Sequence, residues 1–352
     1  MAKVRCKPAL VVLFTRQLAT MLRTGVPILH ALDTLSHQSE NPNFGEVVST
    51  VAERIGHGHT FSNTLSRFPR VFNRVYVTMA AIGERTGQLD ESLERLANWQ
   101  ERDFKLFQRV RSALTYPAFV LGLSAFLTLM LFYSVLPGFI TVFNDMDMEL
   151  PLMTRIMVTI TNAVKNPGAW LVVMAAVGLG FGAVRDIYKT EKGAMELFRI
   201  VLAVPVIGSL LHFATTARYC AAVGALLSAG LDLPKSLNLG AQASGSPVLA
   251  WDAKALINNI LEGESVASYM VTRPDIYPST LCQMVAAGEE SSHLAPMYER
   301  VASFYDQEVN FKIEAFSAAL EPLLLGMVAS VVGFVVLSIF IPMYSYIGKL
   351  GA

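Results

Sequence analysis

The chain has 352 residues, 53% of them hydrophobic and only 16% charged, with no net charge. A soluble domain carries about 25% charge, so this composition points to a membrane protein and argues against a soluble enzyme. Its 11 tyrosines and 20 phenylalanines are spread along the chain, without the aromatic-basic interleaving that binds nucleic acid. The three cysteines, Cys6, Cys220 and Cys282, stand apart without metal or disulfide spacing, which fits free thiols in a reducing compartment.

The first 111 residues read as helices. Leu13, Leu18, Met21, Leu22, Ile28, Leu32 and Leu35 keep helical spacing on either side of a break at Gly25-Val26-Pro27. Gly25 suits the left-handed residue after a helix, and Pro27 the first turn of the next. Val47, Val48, Val51 and Ile55 form one face of a further helix. Phe61, Leu65 and Phe68 make a short element that stops at Pro69. A helix over 75–83 ends at Gly83-Glu84-Arg85-Thr86-Gly87, and another opens at Leu89-Asp90-Glu91, where acids favour the helix start. That helix leads through Leu93, Leu96, Trp99 and Phe104 towards Pro117.

Three long gaps in charge follow. No Asp, Glu, Lys or Arg lies between Arg111 and Asp145, between Lys165 and Arg185, or between Glu321 and Lys349. Each gap holds enough residues to cross a hydrocarbon core of about 30 Å. The expected organisation is a soluble domain at 1–111, spans at 112–143, 166–184 and 321–348, a short outer loop at 144–165, a second soluble domain at 185–320 and an outer tail at 349–352. The apolar stretch 200–211 is short, broken by Pro205 and Gly208, and belongs on the surface of or inside the second domain. Arg95, Arg102, Lys105, Arg109 and Arg111 before the first span, and Arg185, Lys189, Lys192 and Arg199 after the second, outnumber Arg155 and Lys165 between them. The positive-inside bias then places the amino terminus and both soluble domains in the cytoplasm, and no cleavable signal precedes them.

A shift of 205 residues lays one half of the chain on the other without a gap. Gly25 meets Gly230, Gly58 meets Gly263, Pro69 meets Pro274, Gly83-Glu84 meets Gly288-Glu289, Pro117 meets Pro322 and Pro137 meets Pro342. A period so long is no solenoid repeat; a soluble domain and its membrane helix have been duplicated together. The copies differ in charge. Residues 1–111 hold 15 lysines and arginines against 10 acids, and residues 185–321 hold 10 against 15. Two readings of that asymmetry stand: different partners or mutual pairing of the domains, or a first domain that rests on an anionic leaflet.

The stretch from Phe14 to Pro27, reading FTRQLATMLRTGVP, and the stretch from Gly83 to Leu89, reading GERTGQL, with Leu93 and Leu96 beyond, resemble the two motifs of the type II secretion F-domain family. The resemblance covers nearly the whole chain and returns at Ala225–Gly230 and Gly288-Glu289. It implies an all-α membrane protein with two helical bundles and three transmembrane helices, acting as the inner-membrane platform of a type IV pilus or, alternatively, of a type II secretion machine. Such a platform is no enzyme and needs no cofactor. Its implied partners are a cytoplasmic hexameric ATPase, pilin or pseudopilin subunits, other inner-membrane components, lipid and further copies of itself. The second copy departs from the pattern where Arg16 becomes Ala221, Pro27 becomes Asp232, and Thr86-Gly87 becomes Ser291-Ser292.

The candidate contact or turn residues are Gly25, Pro27, Gly83, Glu84, Arg85, Gly87, Gly230, Gly288 and Glu289. For Glu84 and Glu289 the favoured reading is a carboxylate that accepts backbone N–H groups at the tight helix–helix turn; the other is a contact with the ATPase or a neighbouring protomer. Pro117, Pro137, Pro322 and Pro342 are candidate kinks in the membrane helices. Small residues such as Gly122, Ser124 and Ala125 would let a pilin helix approach the first span. His57-Gly58-His59 lacks a third ligand, and Glu289, Glu290 and His293 do not make up a calcium shell. Of the remaining classes, an oligomeric transporter is disfavoured by spans without ionisable residues. A membrane-bound enzyme lacks any constellation of nucleophile, base or metal ligands.

Overall fold

A computed structural model of the chain describes residues 6–145, 151–205 and 207–350, and every regular element among them is helical. Parts of the expected outer loop (146–150) and outer tail (351–352) lie outside the described residues. The chain divides into two compact units, one of residues 1–109 with 195–312 and one of residues 110–194 with 313–352.

The first unit contains the short-helix part of both repeat copies. In the first copy come α1 (Pro8–Arg23), α2 (Ile28–His37), α3 (Pro42–Gly56), α4 (Phe61–Leu65), α5 (Arg74–Thr86) and the start of α6 (Leu89–Met130). The second copy repeats them as α11 (Ile207–Ser228), α12 (Leu233–Ala243), α13 (Pro247–Leu261), α14 (Val266–Val271), α15 (Ser279–Glu290) and the start of α16 (Leu294–Leu350). Capping side chains fall at matched places. Asn41 accepts from the Phe44 amide at 3.1 Å and its counterpart Ser246 from the Leu249 amide at 3.2 Å; Thr60 and Ser265 each cap the amide three residues on at 3.3 Å. Each cap satisfies an amide that the first turn leaves free.

The apolar faces of the two copies merge into one buried cluster. In the first, Phe14 meets Phe44 edge to face at 5.5 Å, and Phe72 meets Tyr76 at 4.8 Å. In the second, Tyr219, Tyr277 and Tyr298 take the centre, at 6.5 and 6.1 Å from Tyr219. Four helices are long and apolar enough to cross a membrane among the described residues. One of them, α11, is 67% buried over its most apolar stretch, so its hydrophobicity serves the domain core. Composition alone does not separate such a helix from a span.

The second unit holds the rest of α6, a π-helical turn at Leu131–Val135, α7 (Leu136–Asp145), α8 (Leu152–Lys165), α9 (Pro167–Tyr188) and the carboxy-terminal part of α16. A further helix, α10 (Glu191–Leu202), links α9 to the second copy. The π turn comes just ahead of Pro137, whose missing N–H frees a carbonyl one turn back. Helix α6 continues through Pro117, and α16 through Pro322 and Pro342, without such a turn. The stretch 144–165, expected as a loop, carries α8 instead. Its inward residues Thr154, Met157 and Thr161 are buried at helical spacing, a pattern that counting charges alone passes over.

Candidate functional site

Glu84 sits in the last turn of α5, yet the helix that its carboxylate caps is α4. It accepts the amide N–H of Phe61 and that of Ser62 at 2.9 Å, together with the Ser62 hydroxyl. Glu289 does the same in the second copy, accepting from the Val266 amide at 2.7 Å, the Ala267 amide at 3.0 Å and the Ser265 hydroxyl at 2.6 Å. A short helix with free amides at its start attracts a carboxylate through both hydrogen bonding and its dipole. The adjoining glycine has a separate task. A Cβ at Gly83 would stand 2.9 Å from Leu89 Cα and 2.8 Å from Ser92 Cβ, and one at Gly288 3.2 Å from Leu294 Cα. Glycine thus lets the next helix start against the previous one, while glutamate holds the short helix beneath. The expectation of a cap on the adjoining turn is corrected: the capped amides lie 22 and 23 residues upstream in each copy.

The turn itself is shared despite the sequence change. Gly87 has φ 70°, and Ser292, its counterpart, has φ 58°, the one positive value at a non-glycine among the described residues. The Gln88 amide donates to the Gly83 carbonyl and the His293 amide to the Gly288 carbonyl, both at 2.9 Å, the bond that closes a helix ending in a left-handed residue. Serine pays a steric cost there that glycine does not. Ser292→Gly is expected to raise stability by about 1 kcal/mol, read as a higher thermal midpoint; Gly87→Ser should lower it by a similar amount.

Gly25 and Gly230 close α1 and α11 with φ 85° and 90°. Pro27 precedes α2 without a side-chain cap, whereas Asp232 accepts from the Lys235 amide at 3.4 Å and pairs with the Lys235 ammonium at 2.8 Å. The hydrogen bond from Lys235 holds the Asp232 carboxyl below its usual range. One helix-start device has replaced another. Arg85 is exposed, and its counterpart Glu290 is exposed too. The two Gly-Glu turns therefore carry opposite charge on their open side.

Arg16 fastens α1 to α6. Its guanidinium donates to Glu101 at 2.5 Å, Glu94 at 2.8 Å and Asn98 at 2.5 Å, and the bond from Arg16 draws the Glu101 carboxyl down. In the second copy Ala221 takes that place, and α16 comes close enough that a Cβ on Gly224 would lie 2.9 Å from Glu299 Cγ. The acid matching Glu101 is then free for the other copy: Asp306 pairs with Arg102 at 3.0 Å. Arg218 pairs with Asp103 at 2.7 Å, and Arg109 donates to Asn310 at 2.6 Å. These contacts bind the two copies together beside a polar cleft of 480 Å³ lined by Trp99, Arg102, Lys105 and Glu299. Burial pushes the Asp306 carboxyl up, against the pull of Arg102.

Sequence reasoning missed a buried ionic cluster in the second copy. Asp252 is fully buried and accepts from Arg273 at 2.7 Å, Tyr277 at 2.9 Å and Tyr269 at 3.2 Å. The same positions in the first copy are Val47, Phe68, Phe72 and Thr64. Comparing the two halves at those positions would have shown it. The histidines of His57-Gly58-His59 are exposed at the end of α3, and no group of three His, Cys, Asp or Glu is placed to hold a metal among the described residues.

Comparison with known proteins agrees with this duplicated architecture. The sequence model of the family described as type II secretion system (T2SS), protein F, matches residues 14–137 and again residues 219–342. The chain is 33% identical to a type IV pilus assembly protein PilC of Thermus thermophilus over 96% of its length and 82% of that protein. It is 28% identical to the PilC of Pseudomonas aeruginosa, over 97% of the chain and 90% of the relative. With a type II secretion system protein F of Aeromonas hydrophila it shares 28% identity, over 94% of the chain and 84% of the relative. With two matched copies that cover most of its length, the chain belongs to the type II secretion system protein F family.

Proposed function

We propose that this chain is a non-enzymatic inner-membrane platform for type IV pilus assembly, with its amino terminus and both soluble copies on the cytoplasmic side. The observation that carries the reading is mechanical. Both copies join in one unit through ion pairs such as Arg102–Asp306 at 3.0 Å and Asp103–Arg218 at 2.7 Å. From that unit α6 and α16 each run on as helix into an apolar stretch. A push by a hexameric ATPase on the soluble unit would then reach pilin subunits in the bilayer without any chemistry in this chain. Pilin helices would meet the first span where Gly122 leaves open space. Lipid, further machine components and a second copy of the chain complete the assembly. The same design serves a type II secretion machine with pseudopilins, as the Aeromonas hydrophila relative named for that system indicates.

The test is capture of the tagged chain from native membranes in mild detergent, with its companions identified by mass. A hexameric ATPase with pilin-like or pseudopilin-like subunits supports the platform and names the machine. A pure oligomer without either would remove it in favour of a transporter. The two copies should also differ in the same assay. Reversing Arg67 and Arg85, both exposed on the first copy, is expected to weaken ATPase capture more than reversing the exposed Lys235 and Lys254 of the second. Equal loss in both variants counts against an ATPase contact through the basic copy.

A further inference from the structure

The contacts of the second unit fix where the bilayer ends. Helix α9 starts at Pro167, just after Lys165 ends α8, and meets its first charge at Arg185, about 27 Å further along the helix, close to one hydrocarbon core of about 30 Å. Its outer end is tied to its neighbours. Lys165 Nζ lies 5.9 Å from the centre of the Tyr133 ring, and the Trp170 indole N–H donates to the Val164 carbonyl at 2.8 Å. Tryptophan, tyrosine and lysine are the side chains that settle at headgroup level. From Arg111 to Tyr133 a helix again measures about 33 Å. From Arg111 to Asp145 it would measure about 51 Å, and would have to tilt by about 54° to fit, beyond the range seen for membrane helices.

Helix α8 marks the same level independently. Its buried side, Thr154, Met157 and Thr161, packs beside Phe132, Leu136 and Val335, and Thr154 donates to the Ser338 carbonyl at 2.8 Å. Its open surface divides into a polar stripe of Arg155, Thr159, Asn162 and Lys165 and an apolar stripe of Leu152, Ile156 and Ile160. Exposed arginine and lysine do not face hydrocarbon. Polar and apolar stripes side by side are the pattern of a helix lying in the interface.

We propose that the outer bilayer surface crosses this chain at Tyr133, along α8 and at Ser338. Lipid then meets a belt of residues 112–133, 168–184 and 321–338, while α7 and the end of α16 stand beyond the hydrocarbon as a helical cap held by α8. Ser338 is the counterpart of Tyr133 in the 205-residue repeat, so both duplicated spans stop at the same repeat position. Within the cap Leu136 is fully buried and Ile339 packs against the same cluster. The proposal rests on α6, α9 and α16 crossing the bilayer, and narrows the spans drawn from charge gaps.

The test uses the full chain in phosphatidylethanolamine–phosphatidylglycerol vesicles, with Cys6 replaced by serine. Cys220 and Cys282 are buried and stay unlabelled in that parent, which serves as the control. Single cysteines replace Leu129, Val142, Leu325 and Tyr344, all exposed, and carry a nitroxide. Collision with oxygen relative to a water-soluble nickel chelate gives the depth. Labels at 142 and 344 are expected to favour nickel and those at 129 and 325 oxygen, so the logarithm of the ratio changes sign between the pairs. Oxygen-dominated labels at 142 and 344 would overturn the cap. Nickel-dominated labels at 129 and 325 would instead overturn the spanning reading, and the cap with it.

Discussion

Replacing Asp252 by valine alone is expected to cost the second copy about 3 kcal/mol, because it breaks a buried ion pair and leaves Arg273 only the exposed Asp275 at 3.5 Å. Arg273 is only 29% exposed and bonds the carboxylate at 2.7 Å, and the Tyr277 hydroxyl, buried beside it, loses its acceptor as well. The first copy supplies its own control. It places Val47, Phe68 and Phe72 at these positions and packs them into the common core. The triple variant Asp252→Val, Arg273→Phe, Tyr277→Phe is therefore expected to recover most of the loss, since apolar residues of similar volume often replace a buried ion pair at no net cost. Denaturant unfolding of the purified protein in detergent reads both. A triple variant as unstable as the single one would show that the second copy needs its ionic cluster and has no apolar alternative.

That comparison shows what the sequence could and could not convey. Helices α1 to α5 were legible because their apolar residues recur every three or four positions and glycine or proline marks their ends. The break at Gly25 and the turn at Gly87 follow from local steric rules and appear where those rules put them, with φ 85° and 70°. Ser292 was not legible, because local rules argue against serine at φ 58°; the surrounding helices impose the turn regardless. The Asp252 cluster was hidden for a related reason. Its partners come from positions 17, 21 and 25 residues away, and only the packing of α13 against α14 and the segment that follows α14 brings them together. Helix α8 was missed because it lies between two charge gaps, where only Thr154, Met157 and Thr161, buried at helical spacing, mark it.

The charge difference between the halves now has a physical setting. Within the first unit, Arg102 of the basic copy meets Asp306 of the acidic copy, but Asp103 meets Arg218 in the opposite sense. Mutual pairing therefore uses a few residues of each sign and leaves most of the asymmetry on the open surface. Arg85 and Glu290, exposed at equivalent turns, express it most locally.

Removing the carboxylate at those turns separates scaffold from contact. Glu84→Ala is expected to destabilise the first copy by about 3 kcal/mol, since two charge-assisted bonds to amides vanish and the Phe61 and Ser62 amides lose their acceptor. Glu289→Ala should cost the second copy a similar amount, because the Val266 and Ala267 amides are held in the same way at 2.7 and 3.0 Å. Glutamine at either site keeps one acceptor oxygen and should lose less. Thermal midpoints of the four variants, measured beside ATPase capture from membranes, decide between the roles. Loss of stability in both copies, with capture falling only as the folded fraction falls, identifies the glutamates as internal caps. A variant that keeps its midpoint yet fails to capture the ATPase would identify a direct contact, and the hydrogen bonds to α4 and α14 would then contribute little to the fold.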